Sequence, residues 1–189
     1  MSRKKRRKPK GKPDRTQRAN HLKALALTKV AKQAWAANQR YKAVALLTEA
    51  VQREPDNPEI LVELATACGK QRDYERAEKL LARLMELAPR SASIYHTVAV
   101  AYSIIDRPER AAECLRRSLE LNRDAKTTVD TLLDLANLYE RSHQLDESRE
   151  AVAEALQRDP ENQSGQLLRA TLDRRQGDKA GAESRLRDM

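Results

Sequence analysis

Few residues in this chain could carry chemistry, and their spacing scatters them. Cys68 and Cys114 could serve as nucleophiles or metal ligands, and His21, His96 and His143 could bind metal or move protons. A structural zinc site needs four such ligands, usually in close pairs of the CxxC kind. Neither cysteine has a second cysteine or a histidine near it in sequence. Each instead falls on an apolar helical stripe, and an unpaired cysteine is among the most buried residue types. Both therefore read as core. No HExxH, GxSxG, glycine-rich phosphate loop or calcium loop occurs. Acidic pairs such as Asp146-Glu147 lie on polar helix faces and read as solvated. No catalytic residue, cofactor or metal is expected, and no constellation suggests an enzyme.

The elements that position these residues repeat. Small residues recur as Ala43, Ala77, Ala111, Ser148 and Ala182, at intervals of 34, 34, 37 and 34. Ala31, Ala65, Ala99, Ala136 and Ala170 share those intervals, and so do the larger Leu47, Leu81, Leu115, Val152 and Leu186. Three series with one common 3-residue excess are the mark of a repeat array. Within a unit, Leu61, Leu64, Ala65 and Cys68 follow i, i+3, i+4, i+7, and Ala77, Leu80, Leu81, Leu84 and Leu87 trace a second helical face. A short polar turn joins the two faces, as at Gln71-Arg72-Asp73, Ile105-Asp106-Arg107, Ser142-His143-Gln144 and Gln176-Gly177-Asp178. Pro55, Pro89 and Pro160 close three of the units, because proline stops a helix from continuing. Arg123 stands where the third terminator is missing, and the excess within Asp124–Thr128 is expected to make a longer linker. Small residues belong where paired helices cross closely, and the larger apolar ones belong between neighbouring pairs.

A 34-residue helix–turn–helix ending in proline resembles the tetratricopeptide repeat family. The likeness rests on Leu61, Leu64-Ala65, Asp73-Tyr74, Ala77, Leu81 and Pro89; on Tyr95, Val98-Ala99, Tyr102, Ala111 and Leu115; and on Leu132, Leu135-Ala136, Tyr139, Ser148, Val152 and Pro160. The first unit is less regular, with Trp35 and Tyr41 each one residue late, and the fifth has Arg169 at a usually apolar place. The resemblance implies an all-α, right-handed α-solenoid of about five helix–turn–helix repeats. Units are expected near residues 24–57, 58–91, 92–128, 129–162 and 163–189, within an array over 20–189.

It also implies a protein or peptide partner held in a groove lined by the first helix of each unit. Carried over by position, the groove residues are Lys29, Lys32, Glu63, Thr66, Lys70, His96, Thr97, Val100, Asp134, Asn137 and Arg141. The Lys, Asn and Arg clamp with which many family members hold a chaperone's C-terminal carboxylate is not reproduced in any frame. Asp130 and Asp134 would repel such a tail.

Charge sits at one end. Residues 1–18 hold ten cations, among them Arg3, Lys4, Lys5, Arg6, Arg7, Lys8, Lys10 and Lys12, against Asp14 alone; the remaining 27 basic and 27 acidic residues balance. Such a segment, assigned to residues 1–19, is expected to be disordered by itself. It could make unspecific, salt-sensitive contact with nucleic acid or an anionic surface. Residues 20–37 are broken by Lys23, Lys29 and Lys32, so no membrane span is expected. The compartment expected is the cytoplasm, or the nucleus in a eukaryote. The array stops within a short last helix at Met189. Three readings stay open, the first two being a stand-alone adaptor whose end frays and the N-terminal part of a larger enzyme resembling repeat-bearing sulfotransferases or glycosyltransferases. A nucleic-acid-associated protein tethered by its tail is the third.

Overall fold

The structure, a computed structural model, describes residues 15–122 and 124–175. Among the described residues the chain is all-α: α1 (Arg15–Ala36), α2 (Arg40–Arg53), α3 (Pro58–Lys70), α4 (Tyr74–Leu87), α5 (Ala92–Ile104), α6 (Pro108–Leu121), α7 (Ala125–Arg141), α8 (Leu145–Arg158) and α9 (Gln163–Arg175). The helices form two compact units, Met1–Leu64 and Ala65–Met189, with the boundary inside α3. Each is taken by itself.

In the first unit α1 packs along α2. Ala31 and Ala43 are buried at the crossing, and Ala24, Ala50 and Ile60 form a small core with Leu27 and Val51 against it. The connection turns at Asn38, whose φ of 58° lies in the left-handed region, and the Gln39 N–H donates to the Ala34 carbonyl at 2.8 Å. Asparagine tolerates that conformation better than most residues. The helix α1 begins at Arg15, inside the stretch assigned to the tail. Pro13 is the last breaker before it, and the Arg, Gln, Ala, Leu and Lys that follow favour helix.

The second unit repeats this device. Ala77, Ala111 and Ser148, the second-helix crossing residues, are fully buried, as are Ala65, Ala99, Ala136 and Ala170 on the first helices. Leu81, Leu115 and Val152 are buried with them. Ser148 is the one polar member of its series among the described residues, and its hydroxyl donates to the Ala136 carbonyl at 2.8 Å, so the close crossing leaves no orphan donor. Arg72, Asp106 and His143 take φ of 65°, 60° and 60° at the same place in the turn as Asn38. Each is followed by an N–H that reaches five residues back, to the carbonyls of Cys68, Tyr102 and Tyr139 respectively. The backbone thus keeps the 34, 34, 37 register even in the first pair, where Trp35 and Tyr41 depart from it.

The helices α2, α4 and α8 each end two residues before Pro55, Pro89 and Pro160. At the missing terminator the expectation of a longer linker is overturned: α6 ends at Leu121 and α7 starts at Ala125. The excess lengthens α7 to 17 residues, against 13 for α3 and α5. No proline obstructs that extra turn. Asp124 caps it, accepting from the Thr127 N–H at 2.8 Å. The basic segment Arg3–Lys12 and the positions Gly177-Asp178, Ala182 and Leu186 lie outside the described residues.

Candidate peptide-binding face

Both thiols lie in the core. Cys68 is 1% exposed and Cys114 7%, with burial pushing the first thiol up and the second to about 11. A thiol so shifted supplies almost no thiolate at neutral pH. His21 Nδ1 pairs with Glu54 Oε1 at 2.8 Å, and His143 is an exposed turn residue. Among the described residues no three His, Cys, Asp or Glu side chains are grouped so as to hold a metal. None of their helices is long and apolar enough to cross a membrane.

The outward residues of the first helices sort into three classes. In the first unit, Lys32 Nζ meets Glu63 Oε1 at 2.7 Å, so these two neutralise one another; Lys29 is exposed and makes no ion pair among the described residues. In the second unit, His96 Nε2 and Asp134 Oδ2 are 2.7 Å apart, joining α5 to α7. The hydrogen bond to Asp134 raises the His96 pKa, burial opposes it, and the charges of Asp134 and Asp130 add to the rise. Thr97 is spent on its own helix, donating to the Ser93 carbonyl at 2.9 Å. Thr66 is half-buried and Lys70 exposed.

The third class encloses space. Val100, Asp134, Asn137 and Arg141 line a cavity of about 370 Å³ between α5 and α7, with Ala99, Ser103, Ile104, Ala111, Leu115 and Leu138. Val100 and Ile104 are open to solvent there, an apolar floor between a carboxylate and a guanidinium. Asp134 is already held by His96, whereas Asn137 and Arg141 make no hydrogen bond or ion pair among the described residues. Of the residues expected at the groove, Lys29, Lys32, Glu63, Thr66, Lys70, His96 and Thr97 do not line this cavity. Ser103 and Ile104 were not expected, yet the signal for Ile104 was available. It stands 34 residues after Lys70 and 37 before Arg141, the register that placed those two.

Repeats of helical pairs with this spacing invite comparison with known proteins. Tetratricopeptide repeat models match residues 34–101, 92–124 and 133–187. The chain belongs to the tetratricopeptide repeat family. Repeats of this family build protein-interaction scaffolds. No curated protein sequence matches the chain. Among solved structures it is similar in fold to MamA of Desulfovibrio magneticus RS-1, residues 41 to the end, at 20% identity over 88% of this chain and 92% of that one, with a TM-score of 0.60. Pseudomonas aeruginosa PilF is similar at 14% identity over 88% of this chain and 75% of that one, TM-score 0.63. YrrB, described as a tetratricopeptide repeat protein with an unusual peptide-binding site, is similar at 14% identity over 92% and 89%, TM-score 0.55. At these identities the likeness is one of fold.

Proposed function

We propose that this tetratricopeptide repeat protein is an adaptor, and that the face between α5 and α7 holds a segment of its partner. The observation that carries the reading is the cavity of about 370 Å³ itself. It offers an apolar floor of Val100, Ile104 and Leu138 for one hydrophobic side chain. Asn137 can then bond the partner's backbone through its amide, which both donates and accepts. Arg141, in the last turn of α7, can take a carboxylate. The partner segment read from this chemistry is short, with an apolar anchor beside an acidic residue.

Selection from a displayed peptide library tests this directly. Wild-type protein should enrich sequences with an aliphatic or aromatic residue next to Asp or Glu. The same peptides should bind an Ile104→Ser, Asn137→Ala variant at least roughly tenfold more weakly, the equivalent of about 1.4 kcal/mol. An unchanged peptide set with the variant would remove the groove from the proposal.

A further inference from the structure

A second surface lies in the first unit and is independent of that groove. The second helix of each pair packs against the first helix of the next: α4 with α5, α6 with α7, and α8 with α9. Ile60 on α3 shares a buried cluster with Ala50 and Val51 of α2 in the same way. Counted by the repeat, the positions of Ala26 and Val30 on α1 correspond to Ile60 and Leu64, then Ile94 and Val98, then Thr131 and Leu135. The later residues are buried, with Ile94 half-buried; Ala26 is exposed and Val30 is 43% exposed. Between α1 and α2 these two residues, with Leu27 and Leu46, line a hollow of about 280 Å³ rimmed by Lys23, Glu49 and Arg53. Leu22, one turn before Ala26 and 59% exposed, continues the apolar surface along α1. The hollow is the seat of a second helix that no preceding pair supplies among the described residues.

The charge of α1 is one-sided. The helix α1 carries Arg15, Arg18, Lys23, Lys29 and Lys32 and no Asp or Glu. Lys32 is paired with Glu63 and Arg53 with Glu49, leaving Arg15, Arg18, Lys23 and Lys29 with no ion pair among the described residues. A basic second copy of this face would be repelled, and a nucleic acid would leave Leu22 and Val30 without apolar partners.

From this seat and its charge we infer that the α1–α2 face docks an acidic amphipathic helix of a partner protein, in the place where the second helix of a preceding pair would pack. Its apolar stripe covers Ala26, Val30 and Leu46, and its Asp and Glu flanks meet Lys23 and the neighbouring cations of α1. Helix-in-groove recognition of this kind reads apolar anchors at i, i+3, i+4 and i+7.

The probe is a synthetic helix of about 15 residues with a Leu/Ala stripe and Glu flanks, long enough to be helical when docked. A version with Lys for Glu and a scrambled version accompany it. Fluorescence anisotropy against the full chain should show the acidic helix binding roughly tenfold more tightly than either control. Ala26→Gln with Val30→Gln, exposed and uncharged changes that should leave thermal unfolding in place, should lower that affinity about fivefold or more, and Lys23→Gln should lower it about twofold. Unchanged binding by the double variant would overturn the proposal, because the basic segment rather than the face would then hold the probe. Equal binding of the scrambled peptide overturns it too. So does finding that the double variant abolishes attachment to phosphatidylserine vesicles, or a concentration-dependent dimer in sedimentation, while the acidic helix fails to bind.

Discussion

The first helical pair and the third are built alike and live differently. Both cross at buried alanines, Ala31 with Ala43 and Ala99 with Ala111, and both turn through a left-handed residue, Asn38 and Asp106. Yet Val30 is 43% exposed, whereas Val98, its counterpart two units on, is fully buried. The side chain is the same, so the difference comes from the neighbour: α4 packs against α5, whereas α1 has no helix of a preceding pair among the described residues. In a stacked array the burial of a position is decided by the next element, because one pair cannot cover both of its own faces.

That contrast can be broken or sharpened by substitution. The largest effect is expected in the shared core. Leu81→Ala, at a fully buried site, should cost about 2–5 kcal/mol by denaturant unfolding. The paired test comes next: Val98→Ala should cost about 1–3 kcal/mol, and Val30→Ala less than about 0.5. Equal costs would mean that the first face is covered after all. Ala77→Leu should also cost about 1–3 kcal/mol, since the crossing has no room for the added methylenes. Turn substitutions should be smaller and of the opposite sign. His143→Gly and Arg72→Gly should each stabilise by up to about 1 kcal/mol by relieving a left-handed conformation, and Asn38→Gly by less, because asparagine already tolerates it.

The smallest expected effect is a pH dependence found in the second unit. His96 has its pKa raised by the hydrogen bond to Asp134. A histidine whose pKa is higher folded than unfolded adds stability that is fully present below about pH 6.5 and lost as pH rises through the raised value. The pair is half open to solvent, so the contribution should stay below about 1 kcal/mol. Asp134→Asn should bring the His96 ring titration, followed by NMR, back toward the ordinary range. A titration that did not move would leave the pair without an electrostatic role.

Much of the fold was legible in spacing. The crossing alanines, Ser148 and the turn positions are found where the 34-residue register put them, because close helix approach tolerates few residue types. The extra three residues were read wrongly as linker. Loss of a proline and gain of a capping Asp124 point to a longer helix as readily as to a longer loop, and it is helix that α7 gains. The site was legible in part. Register placed Val100, Asp134, Asn137 and Arg141 on outward faces, and it would have placed Ile104 had the apolar member been kept in its series. It could not show that Asp134 is bound to His96, or Lys32 to Glu63, since those partners sit on different helices.

The sequence by itself therefore determined the repeat, the family, the helix crossings and the burial of both cysteines. Each follows from local periodicity and from residue size at a fixed place in the unit. Tertiary structure alone decided which outward charges are already neutralised, that an apolar cavity opens between α5 and α7, and that no described residue covers the face of α1. Those properties depend on what the neighbouring helix places opposite, and a single chain position does not carry that information.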